Sequence, residues 1–376
     1  MMRAYDCIVI GAGISGASAA YELALNRRVL LLERESLPGY HSTGRSAALF
    51  TPGYGSAVIR KLAAASWSFF NEPPAGFSAV PLLRDRGGLT MARRGRERLL
   101  EIRNELPGLG SEVRELTPGL AGALAPMLRT DAFVAALYQP GIKDMDVHAI
   151  HAGFLRGFKA RSGGVICDAR VEMIKRDGEF WQIHTRTDVF SAVLIVNAAG
   201  AWAEEIGQIA GACRIGLTPM RRTAILLDVP EDMTSPGLPV VDVAGEEPYF
   251  KPEGPRLMAS LGDATPTEAQ DAQPDEVDIA VLASWLEEVT LLRVERIAAR
   301  WAGLRSFVAD SAPVVGFDPC APNFLWLAGQ GGYGIMIAPA LARAVASLVN
   351  AGSLPDDFAD HGISDGQISP DRLMPN

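Results

Sequence analysis

The stretch "DCIVIGAGISGASAAYELALNRRVLLLERE", from Asp6 to Glu35, constrains the fold of this chain more than any other. Residues 5–10 are rich in apolar and β-branched types, which suits a strand buried on both faces of a parallel sheet. Gly11, Gly13 and Gly16 follow at GxGxxG spacing, with Ile14 and Ser15 between the last two, and "ASAAYELAL" then reads as a helix of small residues. In such a motif one glycine turns the chain tightly, a second lets a pyrophosphate approach the backbone, and a third lets the helix sit close on the strand. The helix N-terminus presents unpaired N–H groups and a partial positive charge to the anion. A second apolar run, "RVLLLERE", gives another buried strand that ends at Glu33 and Arg34. A carboxylate about 20 residues beyond the glycines can accept hydrogen bonds from a ribose. The whole arrangement predicts a dinucleotide site and leaves open whether the dinucleotide is FAD or a nicotinamide.

Two distant segments repeat this style. "FSAVLIVNAAGAWA" (residues 190–203) is a buried strand closing on Ala198, Ala199 and Gly200, with Trp202 just beyond. "NFLWLAGQGGYGIMIAPALA" (residues 323–342) is a strand, a turn holding Gly329, Gly331, Gly332, Tyr333 and Gly334, and a helix starting near Ile335. Backbone donors at that second helix N-terminus suit the pyrimidine carbonyls of a flavin, where they stabilise negative charge on the reduced ring. Because these elements lie at both ends and in the middle, the cofactor domain is discontinuous: 1–80, 144–216 and 300–376. The stretches 81–143 and 217–299 mix strand candidates such as "RTAILLDV" and "EPYFKP" with Pro and Gly turns and the helix "IAVLASWLEEVTLL". They form one substrate domain. The predicted fold class is α/β, a Rossmann-like domain with a second domain on a mostly antiparallel sheet. "EPPAGFSAVP" reads as a connector, and the tail beyond Pro355 as a surface wrap.

Bulk properties narrow the function. A length of 376 residues favours two domains. A net charge of -9 supplies no basic field for nucleic acid or an anionic bilayer. The four cysteines (Cys7, Cys167, Cys213, Cys320) are far apart with no CxxC pair, so neither structural zinc nor a disulfide framework is expected, and no metal site. The first residues carry no basic n-region or cleavage site of a secretory leader. The most apolar stretch, "GIMIAPALARAVASLV", is interrupted by Pro339 and Arg343 and falls short of the roughly 20 residues of a spanning helix. A cytoplasmic protein is expected, with peripheral membrane contact left open, as is the choice between monomer and homodimer.

"GAGISG" with Glu33, "GYHSTGRSAALFTPGYG" (residues 39–55), "NAAGAWA", "WAGLRSFVAD" (residues 301–310) and "AGQGGYGI" together resemble the D-amino-acid oxidase and glycine oxidase superfamily of FAD enzymes, along nearly the whole length. Within it the chain looks most like the bacterial D-arginine dehydrogenases. The resemblance implies FAD and oxidation of a D-amino acid by hydride transfer from Cα to flavin N5, followed by hydrolysis of the imino acid to a 2-keto acid and ammonia. It makes Arg305 the carboxylate-binding arginine. A planar guanidinium fork suits that task, and an arginine among Trp301, Leu304 and Phe307 needs an anionic partner. Adjacent strand residues point to opposite faces, so at most one of Arg221 and Arg222 enters the site; the resemblance favours Arg222, and a solvated edge pair is the alternative. It also assigns Tyr249 and Tyr54 to the site, although a tyrosine in an apolar stretch is commonly a core filler. His41, Ser42, Thr43, Arg45 and Ser46 would pass beneath the flavin, in a segment whose Ser and Thr equally suit a helix cap. Gly303 and Leu304 stand where some relatives attach flavin through a cysteine, so the FAD is expected to be non-covalent. His148, His151, His184 and His361 lie outside every motif and read as structural.

Two positions depart from the D-arginine dehydrogenase pattern. Gly88 stands where those relatives carry an acid for the substrate guanidinium, with Asp85 three positions away. Leu49 replaces a histidine near the flavin, close to Thr51. Both lower the polarity of the pocket, and a buried cation without a partner is costly. The side chain of the substrate is therefore expected to be neutral and apolar. The alternatives are a secondary or cyclic amine such as sarcosine or D-proline, a 2-hydroxy acid, which would need a base, and a flavin-binding subunit of a larger dehydrogenase. No motif identifies the electron acceptor among a quinone, a carrier and O2.

Overall fold

The opening run forms the strand Ala4–Ile10, with Val29–Leu32 on one side and Val189–Asn197 on the other, all parallel. Every residue of Val29–Leu32 is buried, as an apolar run in the middle of a doubly covered sheet requires. The computed structural model describes residues 4–105, 113–233 and 237–374. In it these strands belong to an eight-stranded sheet in the order Val171–Asp177, Phe180–Thr185, Val189–Asn197, Ala4–Ile10, Val29–Leu32, Gly164–Ile166, with Phe324–Ala328 beside the end of Val189–Asn197 and Val314–Phe317 beyond it. The helices Ile14–Leu23 and Gly334–Ala351 cover one face, packing Ala17, Ala20, Ile337 and Leu341 into a common core.

The second layer is a nine-stranded sheet in the order Thr265–Pro266, Thr218–Asp228, Arg256–Ser260, Tyr249–Glu253, Val240–Val243, Gly88–Ala92, Ala135–Gln139, Arg114–Leu116. Ile297–Phe307 also pairs with Thr218–Asp228. All pairings are antiparallel except Val240–Val243 with Gly88–Ala92. One face buries Leu89, Val241, Phe250 and Ile225 against Leu282 and Leu286 of the helix Glu276–Val289. Period-two alternation leaves the other face for Arg222, Tyr249 and Arg305.

Several expectations need correcting. The boundary drawn at 300 cuts the strand Ile297–Phe307, which pairs with Thr218–Asp228 from one end to the other; Arg305 is thus carried by the nine-stranded sheet. The boundary at 144 falls within Lys143–Met145, which joins Leu49–Phe50 and Leu83–Asp85 in a small three-stranded sheet. "HSTGRSAA" forms turns rather than a capped helix. Cys213 and Cys320, 107 residues apart, are joined as a disulfide. Sequence distance hid the pairing; the Asp318 carboxylate gathers the two segments by accepting N–H bonds from Cys213 (3.0 Å), Cys320 (2.8 Å) and Ala321 (2.8 Å) and the indole N–H of Trp326 (2.8 Å). The helix Gly334–Ala351 has the length and composition of a membrane span, yet Ile335, Ile337, Leu341 and Val345 are buried in the protein core. Phe358, Ile363 and Ile368 pin the tail into the same core.

Candidate active site

The glycines of the opening motif are required by contact. Gly11 has φ +100°, and a Cβ there would stand 2.5 Å from the carbonyl oxygen of Ala198. A Cβ on Gly16 would stand 1.8 Å from the carbonyl oxygen of Gly11, so only glycine lets the helix Ile14–Leu23 begin against its strand. No side chain caps this helix at Gly13, although the hydroxyl oxygen of Thr43 accepts the N–H of Ile14 at 2.9 Å. The Glu33 carboxylate is buried and accepts the N–H groups of Ala12 (2.9 Å) and Glu35 (3.0 Å), which fixes the loop that leads into the motif. From the far side, His151 donates Nε2–H to the carbonyl of Ala12 at 2.9 Å. Burial pulls the pKa of His151 down, which favours the neutral ring for this donation. His151 lies 139 residues from Ala12, and no local pattern in the sequence marks the contact.

A cleft runs from these glycines past Ala199 and Gly200 to the nine-stranded sheet. At one end Arg34 stacks 4.4 Å over the ring of Trp202, and His41 lies 4.6 Å from the same ring while bonding Glu35 at 2.9 Å. Ser42, Arg45 and Ser46 line the cleft, but their polar groups already have protein partners. The Ser42 hydroxyl donates to the carbonyl of Leu304 (2.6 Å), and the Ser46 hydroxyl oxygen accepts from Ala48 (3.2 Å). Arg45 donates to the carbonyls of Ala302 (2.9 Å) and Ala272 (3.1 Å) and pairs with Asp271. These residues act as a strap between the segment and the strand Ile297–Phe307, a role the sequence did not disclose.

The second glycine turn closes on the first motif. Ser15 donates its hydroxyl to the side-chain oxygen of Gln330, and Gly331 donates its N–H to the carbonyl of Ser306 at 2.9 Å. Gly331 has φ +53° and would clash with the Phe307 ring if it carried a side chain. The helix Gly334–Ala351 starts at Tyr333 with no side-chain cap. Its first turn lines the cleft through Gly334 and Ile335, opposite Gly303. Two helix N-termini without side-chain caps, with glycine where the backbone must approach closely, fit an extended anionic dinucleotide carrying a flavin ring.

At the other end of the cleft stand Arg222, Tyr249 and Arg305. The register pairs Met220 with Arg305 and Arg222 with Gly303, which puts Arg222 on the same face as Arg305. Arg221 points the other way and pairs with Asp278 (2.6 Å) and Asp263 (3.9 Å). Among the described residues neither Arg222 nor Arg305 has a carboxylate partner, and Nε of Arg222 is buried without a hydrogen bond. Burial, and then the charge of Arg305, pull the pKa of Arg222 down. Tyr54 is 50% exposed beside Tyr333, with ring centroids 5.2 Å apart. Both tyrosines stand near enough to the arginines to feel their charge, Tyr54 that of Arg222 and Tyr333 that of Arg305 and Arg222, whereas Leu49, Thr51 and Gly88 are not among the described residues that line the cleft. Leu49 is held opposite Asp144 in the three-stranded sheet, and the space over Gly88 is taken by Ile142, whose Cδ1 lies 2.3 Å from where a Cβ would stand. Asp85 pairs with Lys143 at the surface. No cysteine lines the cleft among the described residues.

Over 384 residues the chain is 25% identical to glycine oxidase of Geobacillus kaustophilus, covering 97% of this chain and 98% of that protein. It is 26% identical to mitochondrial dimethylglycine dehydrogenase of Rattus norvegicus over 382 residues, covering 94% of this chain but only 44% of that longer protein. The crystal structure of iminodiacetate oxidase from Chelativorans superposes with a TM-score of 0.81 at 22% identity, covering 97% and 98% of the two chains. These matches do not point specifically to a D-arginine dehydrogenase. Residues 6–348 match the family model described as FAD dependent oxidoreductase, and with nearly its whole length inside that match the chain belongs to the DAO family of FAD-dependent oxidoreductases.

Proposed function

We propose that the chain oxidises the Cα–N bond of an α-amino carboxylate, in first place a D-amino acid, with FAD held non-covalently. The observation that carries this reading is the pair of inward-facing arginines, Arg222 and Arg305, neither of which makes an ion pair with a carboxylate among the described residues. A partly buried cationic pair calls for an anion, and a guanidinium binds a carboxylate at two points. Tyr249, on the same face, offers its hydroxyl as a further donor.

The FAD, when bound, supplies the acceptor for a hydride leaving Cα. The amides of Gly13 and Ser15 would hold its pyrophosphate, and those at Gly332 to Gly334 would hold its ring. Arg222 and Arg305 hold the substrate carboxylate and so fix the direction in which the Cα–H points. Their positive field also favours the unprotonated amine, which holds the lone pair that becomes the C=N bond as the hydride leaves. The iminium then takes up water and releases ammonium. Positioning and electrostatics are the contribution of the protein, and no side-chain base is needed.

Anaerobic mixing of the yellow protein with single amino acids tests this reading. D-amino acids should bleach the flavin absorbance, and variants Arg305→Leu and Arg222→Leu should need far higher concentrations. A second reading, an N-substituted glycine, is favoured by the names of the relatives, which act on glycine, dimethylglycine and iminodiacetate. Two unpartnered arginines would suit a substrate with two carboxylates. Bleaching by sarcosine or iminodiacetate, with none by D-amino acids, would replace the first reading with the second.

A further inference from the structure

The strand that carries Arg222 is flanked by continuous pairing on one edge only. There Thr218–Asp228 runs beside Ile297–Phe307. On its other edge it pairs with Thr265–Pro266 at Met220 and Arg221, and with Arg256–Ser260 from Ala224 onward. Arg222 and Thr223 stand in the gap between those two ladders. Backbone groups in such a gap need other partners, because a buried N–H or C=O left unpaired is costly. Two side chains supply them for Thr223, which is fully buried. The Asp263 carboxylate accepts its N–H at 2.6 Å and its hydroxyl at 3.2 Å, and the Ser260 hydroxyl donates to its carbonyl at 2.8 Å.

The turn beyond Arg256–Ser260 is built to deliver that carboxylate. The Ser260 hydroxyl oxygen accepts the N–H of Gly262 at 3.3 Å. Gly262 has φ +76°, and a Cβ there would stand 2.2 Å from the carbonyl oxygen of Glu247, so the turn requires glycine. The Asp263 side chain is 7% exposed and does not line the cleft. Its neighbour is Arg221, 3.9 Å away on the opposite face from Arg222 and itself paired with Asp278 at 2.6 Å. Asp263 therefore acts on the backbone beside Arg222, out of reach of a ligand in the cleft. Burial and the charge of Arg305 weigh against the charged guanidinium of Arg222, and the Asp263 carboxylate is among the groups that favour it. With Nε of Arg222 buried and without a hydrogen bond, the backbone is left to set where the fork points.

We propose that Asp263 is a positioning residue for the substrate carboxylate: by holding Thr223 in the gap between two strands, it fixes the direction in which Arg222 enters the cleft. This rests on the carboxylate clamp of Arg222 and Arg305 proposed above. Asp263 stands in for the missing length of strand at the one place where the sheet meets the substrate through an arginine.

The test titrates the flavin spectrum of the holoenzyme with propionate and with propionamide, planar ligands of one shape that differ in charge. The native protein should bind propionate more tightly. Asp263→Ala should lower that preference on the order of tenfold. Asp263→Asn, whose side-chain oxygen can still accept the Thr223 N–H, should restore most of it. If Asp263→Ala is recovered unfolded, Asp263→Ser carries the same test, since its hydroxyl is one atom too short to reach that N–H. A general loosening of the fold would weaken both ligands alike and leave the ratio intact. That result, or an Asn variant as poor as the Ala variant, overturns the role of Asp263 while leaving the clamp standing. A native protein with no preference for propionate rejects the clamp itself, and the role of Asp263 with it.

Discussion

Gly332 lies directly against the guanidinium of Arg305: a methyl group on Gly332 would stand 2.7 Å from Nη1, 2.8 Å from Cζ and 2.9 Å from Nε. The turn that opens the last helix thus sets how far Arg305 reaches into the cleft. The two elements are also locked by the Gly331 N–H bond to Ser306. One glycine-rich segment serves two ends, clearing the backbone for the cofactor and placing the arginine for the substrate.

Gly332→Ala should therefore act on binding. The displaced group is the end of a flexible side chain, so the fold can absorb the methyl by moving Arg305. Charge-assisted hydrogen bonds contribute about 1.5–3 kcal/mol, so misplacing the fork should raise KM for a carboxylate substrate about tenfold or more. FAD content and Tm should stay close to native. Steady-state kinetics with purified variant decides it, and an unaltered KM would break the link between this turn and Arg305.

Gly16→Ala should behave differently, because the obstacle is backbone. The new Cβ would stand 1.8 Å from the Gly11 carbonyl oxygen, and the helix would have to lift off its strand. Overpacking of this kind costs about 1–3 kcal/mol or more, concentrated where the pyrophosphate is held. The variant should be recovered colourless or with little flavin and a lowered Tm. Gly119→Ala, where nothing lies within 4 Å of the added carbon, is the control and should stay yellow. Full flavin content in Gly16→Ala would contradict the proposed fit.

His151 gives the cofactor end a pH dependence. Burial holds its folded pKa below the ordinary 6.5, so the unfolded chain binds the proton more readily than the native one. The support His151 lends is then complete above pH 6.5 and is lost as pH falls from there through the folded pKa. Tm and flavin retention should decline together across that acidic window. In His151→Gln, whose amide can still donate to Ala12, the decline should be shallower. Identical pH profiles for the two proteins would remove His151 from the explanation.

Most of the cofactor end was legible because its signals are local. Gly11, Gly13 and Gly16 report a turn, a close approach and a helix contact within six residues, and Glu33 follows on the next strand. Alternation along Thr218–Asp228 likewise put Arg221 and Arg222 on opposite faces, while the choice of Arg222 came from the resemblance. The rest depends on tertiary pairing. Nothing local says that His151 meets Ala12, that Arg45 is consumed by Ala302 and Asp271, or that Cys213 meets Cys320. Gly88 illustrates the converse hazard, since alignment placed it in the pocket while Ile142 fills the space above it. Asp242 is a lone acid inside an apolar strand, and only the register sets it beside Tyr249.

That lone acid should also leave a mark on stability. Burial pushes the Asp242 carboxyl from 3.8 up to about 6. Between those values the native protein binds more protons than the unfolded chain, so stability falls as pH rises through the window. The resulting cost, on the order of 2–3 kcal/mol, persists above pH 6. Asp242→Asn keeps the shape and a partner for Thr90 but never ionises, so it should be more stable than the native protein at pH 8 and lose that advantage near pH 4. Denaturant unfolding at the two pH values measures the difference.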